Sequence, residues 1–231
     1  MASLNILSGG AAQGLVASLA PKFKHLTGFD ITGEFGAVGA MAEKLRNGTP
    51  ADMVILTAPI VTKISNENWV DPATIADVGM VETAIAVRAG DAAVSVADGP
   101  GLRAGLLAAD RIFVPDTTNS TAGIHVAKVL QQLGITDDVA ARLEIYPNGA
   151  TAMRHLAETD ALRPIGCTQA TEIISTPGVK LSGSLPSGYG LATTYTSAVT
   201  TGAASPKQAR VLIGLLTAAD QRELRVRAGF L

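Results

Sequence analysis

The stretch Ser8-Gly9-Gly10-Ala11-Ala12-Gln13-Gly14 lies between a short apolar run, Leu4–Leu7, and a segment with helical apolar spacing, Leu15–Phe23. This order predicts a strand, a tight glycine turn and the start of a helix. Such a turn directs backbone N–H groups and the positive end of the helix dipole toward one point, where they can bind an anion. We therefore expect Ser8, Gly9, Gly10 and Ala11 to contact a ligand.

The chain repeats this arrangement three times. Phe35–Gly39, Thr117–Gly123 and Pro147–Thr151 each precede an apolar-periodic segment, and almost no lysine or arginine falls in these turns. Four uncharged, donor-rich helix starts predict one small anionic ligand. The further residues that we expect to contribute, including one at the end of the third strand, are Ala37, Val38, Gly39, Thr57, Thr117, Thr118, Ser120, Thr121, Ala122, Asn148 and Gly149.

Each turn also has a plainer interpretation. Ser8–Gly14 is equally typical of a simple strand-to-helix connection, and the hydroxyls of Thr117–Thr121 are also typical of helix capping. The first turn lacks the Gly-Lys-Ser/Thr ending of a phosphate-binding loop and the glycine spacing of a dinucleotide site. Nucleotide binding is therefore not indicated.

The amino-acid composition argues against several classes of function. The chain has 231 residues, 47% hydrophobic and 16% charged, with a formal net charge of −2. It therefore has enough apolar residues for a sizeable core, and it contains no basic run that would bind nucleic acid. The only cysteine, Cys167, excludes an internal disulfide, and the three histidines show no metal-ligand spacing. We expect no metal and no cofactor, and without an 18-residue apolar run we expect no membrane insertion.

The order of elements predicts an α/β fold. Strand and helix patterns alternate over about residues 1–80 and again over about 85–190, which is typical of parallel sheets covered by helices. The simplest packing is two α/β lobes with a cleft between them. All of the turns described above then fall at the carboxyl ends of strands, where ligands bind in open α/β sheets.

One segment carries a family resemblance. The run Asn47-Gly48-Thr49-Pro50-Ala51-Asp52, followed by the apolar strand Met53-Val54-Ile55, resembles the periplasmic molybdate-binding proteins, which are substrate-binding components of ABC transporters. Leu19–Phe23 before a Thr27-Gly28 stop, Ala122–Leu130 and Pro164-Ile165-Gly166 also resemble that family, in the same order, so that the similarity covers nearly the whole chain.

The resemblance implies the type II periplasmic-binding fold, with two lobes joined by crossing strands near Val81–Val87 and Thr193–Val199. Lobe one would comprise residues 1–84 and 196–231, and lobe two residues 85–195. It also implies a membrane permease as partner. Ala122 matches the family as a backbone donor, and Gln169 falls where the family has a tyrosine, so Gln169 joins the expected ligand contacts.

The first two turns lack the serines by which the family binds molybdate. They offer glycine, alanine and valine instead, with Ser8 as the one hydroxyl nearby. We therefore expect a solute-binding protein for a small anion, with an organic carboxylate as the ligand.

A second hypothesis is enzymatic, since relatives of this family include aconitate isomerase. A cytoplasmic isomerase or tautomerase would move a proton next to a carboxylate, with Asp116, Tyr146 or His155 as the candidate base. Asp116 is more typical of a capping or loop residue than of a general base. No signal peptide is evident after Met1, which indicates a cytoplasmic protein, or a periplasmic one if Met1 replaces a removed signal.

Overall fold

The computed structural model describes residues 2–231, which form a mixed α/β structure. Its strands are β1 (Ser3–Gly9), β2 (Asp30–Gly36), β3 (Met53–Thr57), β4 (Ala76–Arg88), β5 (Arg111–Pro115), β6 (Leu143–Tyr146), β7 (Pro164–Gln169), β8 (Val179–Ser184) and β9 (Ala192–Val199). Its helices are α1 (Gln13–Thr27), α2 (Val38–Arg46), α3 (Ala58–Asn66), α4 (Gly99–Ala108), α5 (Thr121–Gln132), α6 (Thr136–Val139), α7 (Gly149–Glu158), α8 (Ala170–Ile174), α9 (Pro206–Thr217) and α10 (Arg222–Arg227). None of these helices is long and apolar enough to span a bilayer.

The chain folds into two compact units. Unit 1 comprises the chain up to Val81 together with Thr193–Leu231, and unit 2 is the continuous stretch Glu82–Ala192. The chain passes from one unit to the other within β4 and again where β9 begins.

Unit 1 contains a sheet in the order β2-β1-β3-β9. β1 is parallel to both β2 and β3, and β9 is antiparallel to β3. Phe23 and Leu19 of α1 are fully buried, and α1 ends at Gly28, whose φ of 74° is the left-handed conformation that glycine adopts without strain.

Asp52, from the segment that carries the family resemblance, is a structural residue. Its carboxylate is 2% exposed and accepts hydrogen bonds from the backbone N–H groups of Asn5 (2.8 Å) and Ser205 (2.7 Å). These two bonds join β1 to the residue that precedes α9. Asp52 therefore helps to hold unit 1 together.

Unit 2 contains a sheet in the order β4-β7-β5-β6, with β8 also paired to β4. β5 is parallel to β6 and to β7, while β4 is antiparallel to β7 and β8. Strand and helix residues of unit 2 form one buried apolar cluster. It includes Ile85, Leu102, Ile112 and Val126.

Two local predictions differ from the structure. The glycines and Pro100 in Ala89–Gly101 predict a loop from sequence, yet α4 already begins at Gly99. Asp98 caps this helix by accepting a hydrogen bond from the Gly101 N–H (2.8 Å), and proline is well accommodated in a first turn. The five-residue α8 was not predicted, because so short a helix shows no apolar periodicity.

Candidate functional site

In unit 1 the parallel strands bring three helix starts to one edge of the sheet. Gly9 of β1 is level with Gly36 of β2, and Ser8 is level with Ile55 of β3. The carboxyl ends of the three strands therefore lie side by side, and α1, α2 and α3 begin there, the first through a 3-10 turn at Gly10–Ala12. The predicted contacts at Gly9, Gly10, Ala11, Ala37, Val38, Gly39 and Thr57 all lie along this edge.

These helix starts offer backbone donors. Among the described residues, no side chain caps the first turns that begin at Gly10, Val38 and Ala58, and none of these turns contains an acidic residue. Helix starts of this kind present N–H groups and a positive dipole end. The Ser8 hydroxyl is buried and donates to its neighbour's carbonyl, Gly9 O (2.9 Å), so its proton is already used within the chain.

In unit 2 the carboxyl ends of β5, β6 and β7 are likewise level. Pro115 is paired with Tyr146, and Phe113 with Gly166. The helices that follow these strands, α5, α7 and α8, therefore start at one edge of the unit 2 sheet.

The start of α5 resembles those of unit 1. Ser120 is the N-cap residue, but its side chain makes no capping hydrogen bond within residues 2–231, and the first turn has no acidic residue. The backbone of α5 lies close to the end of β5 here: a Cβ atom at Gly123 would overlap the carbonyl oxygens of Pro115 and Asp116. Gly123 is therefore required for the helix to begin so near the end of β5. The predicted contacts Thr117, Thr118, Ser120, Thr121 and Ala122 surround this start.

The start of α7 is different, since a carboxyl group of the protein itself lies against it. The Asn148 side chain accepts a hydrogen bond from the Thr151 N–H (2.8 Å), and the buried carboxyl of Glu172 lies against Gly149. Glu172 accepts a hydrogen bond from the Thr168 hydroxyl (2.6 Å). Burial raises the pKa of Glu172, while this bond and the nearby N–H groups of Gln169, Ala150 and Gly149 act in the opposite direction.

Of the three candidate bases, Asp116 lies in the turn after β5, and Tyr146 and His155 are in contact with each other. The Asp116 carboxylate accepts bonds from the side chain of Asn119 (3.0 Å) and from the side chain and N–H of Thr118 (both 2.7 Å). These bonds hold the pKa of Asp116 well below its usual range, so this carboxylate is a weak base and a good turn cap.

Tyr146 and His155 lie together, and Tyr146 is paired in the sheet with Pro115, the residue before Asp116. Their rings stack with centroids 4.4 Å apart, and they line an open pocket of about 410 Å³. The Tyr146 hydroxyl donates to Glu144 (2.8 Å), and burial, followed by this bond, raises the pKa of Tyr146 to about 12. The phenol is therefore protonated at neutral pH. Among the described residues no three acidic, histidine or cysteine side chains come together as metal ligands.

A cluster of buried polar side chains without partners lies where β4 and β7 meet. Thr83 and Gln169 face each other in the antiparallel register, and they are 0% and 2% exposed. Within residues 2–231, neither the Thr83 hydroxyl nor either polar atom of the Gln169 amide has a hydrogen-bond partner, and the same holds for the Thr171 hydroxyl. Buried polar groups are nearly always paired, so two facing residues with unpaired side chains, Thr83 and Gln169, indicate a site that binds something.

Sequence reasoning had included Gln169 but missed Thr83, Thr171 and Glu172. Thr83 lies within a long strand-like run and carries no local signal of function. The role of Glu172 depends on its packing against Gly149, a contact between different elements that no local pattern shows. Only its position three residues after Gln169, at the end of a strand, could have drawn attention to it.

Comparisons with known proteins agree with this architecture. A sequence model of the bacterial extracellular solute-binding proteins matches residues 4–231. An aconitate isomerase from a Pseudomonas species is 24% identical over 229 residues, covering 94% of this chain and 83% of that protein. The molybdate-binding protein ModA of Escherichia coli (strain K12) is 23% identical over 195 residues, covering 79% of this chain and 71% of that protein.

A solved structure shows the same fold. The Azotobacter vinelandii periplasmic molybdate-binding protein superposes with a TM-score of 0.81 at 19% sequence identity, over 99% of both chains. The chain therefore has the type II periplasmic-binding fold that the sequence predicted.

Proposed function

Because this chain belongs to the bacterial extracellular solute-binding proteins, we propose that it binds a small anion, and that the ligand is an organic carboxylate. One observation carries the proposal: the first turns at Gly10, Val38 and Thr121 present backbone N–H groups with no side-chain cap and no acidic residue. Such helix starts bind carboxylates and oxyanions without a fixed positive charge.

The chemistry of the turns favours a carboxylate with an apolar body over a tetrahedral oxyanion. Ser8 supplies the one hydroxyl beside the first turn, and it is bonded to Gly9 O. Ala11 and Val38 place methyl groups beside the donors. Because a tetrahedral oxyanion has four polar corners and needs donors on all sides, this mixed lining suits it less well.

The contacts proposed are those predicted from the sequence, with two qualifications. The side chain of Asn148 and the N–H of Gly149 already interact within unit 2, with Thr151 and Glu172. We therefore assign the principal role in unit 2 to the start of α5 and to Gln169.

The experiment is a thermal-shift and calorimetric screen of the whole chain against molybdate, sulfate, phosphate and a panel of di- and tricarboxylates. A ligand that binds the folded state raises the unfolding midpoint by mass action. Binding of a carboxylate supports the proposal. Binding of molybdate alone would overturn the carboxylate assignment, and no binding to any anion would overturn the proposal itself.

The role of the α5 start is tested by a matched pair of variants. Thr121→Pro removes the N–H at the first helical position, where proline is tolerated, and Ser120 already has the extended conformation (φ −94°, ψ 133°) that a following proline requires. Thr121→Ala removes only the hydroxyl. We expect Thr121→Pro to weaken anion binding more than Thr121→Ala, with both variants folded. Equal affinities would contradict the assignment.

Membership of this family also suggests where the protein works and which protein it contacts. We propose that it works outside the cytoplasm and delivers its ligand to a membrane permease, as the family description and the likeness to a periplasmic molybdate-binding protein support. The test is co-purification with, or stimulation of, a permease encoded beside it.

A second candidate function is isomerisation of an unsaturated carboxylic acid, which the likeness to an aconitate isomerase supports. Of the three candidate bases, Asp116 has a lowered pKa and Tyr146 stays protonated, which leaves His155 as the candidate for moving the proton. Proton NMR of a bound aconitate sample separates the two functions: a binder returns the acid unchanged, whereas an isomerase interconverts its isomers.

A further inference from the structure

The cluster of Thr83, Gln169 and Thr171 shows which hydrogen bonds the ligand must provide. Of the buried side-chain atoms without a partner in residues 2–231, four belong to these three residues. Asp91 Oδ2, which also lacks a hydrogen bond, lies 3.1 Å from Arg88 Nε and is therefore paired electrostatically. Three of the unpaired atoms of unit 2 thus belong to two residues that face each other across β4 and β7.

Strand geometry places Thr83 and Gln169 in reach of one small group. The Thr83 N–H donates to Leu191 O (3.0 Å), and its carbonyl accepts from the Leu185 N–H (3.1 Å). Both backbone groups of Thr83 are therefore used on the side away from β7. Thr83 and Gln169 consequently form a non-hydrogen-bonded antiparallel pair, the arrangement in which facing side chains approach most closely.

The unpaired atoms include an acceptor as well as donors. The Gln169 amide offers two N–H donors and one carbonyl acceptor, and each threonine hydroxyl both donates and accepts. A fully ionised tetraoxyanion, or a plain carboxylate, supplies only acceptors and would leave the Gln169 carbonyl oxygen unpaired. A hydroxyl group supplies both a donor and an acceptor.

The pocket that Thr83 lines also favours a ligand hydroxyl over a second carboxylate. Thr83 lines a cavity of about 390 Å³ whose single charged side chain is Glu82, which accepts a hydrogen bond from the Ser184 hydroxyl. A carboxylate wall of this kind repels a second full negative charge but accepts a hydrogen bond from a neutral hydroxyl. The cavity also gives room for a ligand larger than an inorganic oxyanion.

We infer that Thr83 and Gln169 bind a hydroxyl group of the ligand, and that the ligand is therefore a hydroxycarboxylate. This inference rests on the proposed function, because it identifies the kind of anion that the same site binds. The carboxylate would be bound by the N–H groups at the start of α5, in the same unit, and the hydroxyl by the Thr83–Gln169 pair.

The test compares acids that differ only by a hydroxyl. Calorimetry of the wild-type chain would use L-malate against succinate, and citrate against tricarballylate. We expect the hydroxy acid of at least one pair to bind about tenfold or more tightly, because its absence leaves buried polar groups unpaired. Equal affinity within both pairs would overturn this inference and leave the anion-binding proposal standing; no binding of any acid would overturn this inference together with the carboxylate assignment.

Variants then assign the preference to the two residues. Thr83→Val and Gln169→Leu each keep the approximate side-chain size and remove the polar atoms. We expect both to reduce the affinity ratio of hydroxy acid to deoxy acid toward one, mainly by weakening the hydroxy acid. The control is Thr176→Val, whose hydroxyl is buried but donates to Glu172 O (2.7 Å). If the affinity ratio of hydroxy acid to deoxy acid is unchanged in both Thr83→Val and Gln169→Leu, then another part of the chain binds the hydroxyl and the assignment to these two residues is wrong.

Discussion

Replacing Thr83 by valine should stabilise the unliganded protein. Thr83 is fully buried in β4, and its hydroxyl has no partner within residues 2–231. An unsatisfied buried hydroxyl costs on the order of 1–3 kcal/mol, and valine has nearly the same shape and a high strand propensity. We therefore expect Thr83→Val to raise the free energy of unfolding by about 1 kcal/mol. For a chain of this size that corresponds to a rise in Tm of about 2–4 °C.

Thr168→Val is the matched control, since Thr168 lies in the neighbouring strand β7 and is also fully buried. Its hydroxyl donates to the Glu172 carboxyl at 2.6 Å. The same substitution there should lower the free energy of unfolding by about 1.5–3 kcal/mol, because it removes a bond to a buried acid.

Urea unfolding of both variants and the wild type at neutral pH, without ligand, measures the two effects. The signs should be opposite. If Thr83→Val instead lowers stability by 1 kcal/mol or more, then the Thr83 hydroxyl is hydrogen-bonded in the free protein, and the reasoning that makes it a ligand contact fails. An unchanged slope of free energy against urea concentration would show that the two unfolding reactions are comparable.

The remaining predictions concern the helix starts. Glu172→Gln should flatten the pH dependence of stability: the raised pKa means that the wild type loses stability as the pH rises above the ordinary glutamate value of 4.5, and urea unfolding at several pH values should show no such loss in the variant. Gly149→Ala should cost about 1–3 kcal/mol of stability, because the new methyl overlaps the Glu172 carboxyl, whereas Gly214→Ala in α9, with open space around it, should gain about 0.5–1 kcal/mol. Two equal melting temperatures would contradict that contrast. Asp116→Ala should destabilise the turn before α5 at neutral pH, and the difference from wild type should shrink as the pH falls below 3.8, since the lowered pKa makes the ionised form the stabilising one. A difference that persists in acid would exclude the carboxylate as its cause.

Much of the fold was predictable because the signals for it are local. Apolar runs, glycine turns and proline positions mark most of the strands and helices, and the exact bounds of α9, Pro206–Thr217, follow from its proline start and apolar spacing. The order of family-like segments then identified the type II fold.

The site was only partly predictable, because its decisive contacts join distant parts of the chain. Gly149 looks like a ligand turn in the sequence, but Glu172 lies against it in the structure. Thr83 looks like an ordinary strand residue, and only its register with Gln169 and the lack of a partner set it apart. Local propensity carries no information about either pairing.

The division of the chain into a continuous unit 2 and an interrupted unit 1 also bears on its biosynthesis. Asp52 reaches Ser205, and Leu212 and Leu216 of α9 are fully buried in unit 1, so the amino-terminal strands cannot complete their core until Thr193–Leu231 has left the ribosome. Glu82–Ala192 has no such requirement. Unit 2, although it is translated after the first strands of unit 1, is therefore the first unit that can finish folding. Until β9 is synthesised, one edge of β3 remains unpaired. That interval, before the carboxyl-terminal helices arrive, is when the nascent chain is most exposed to aggregation and most in need of a chaperone.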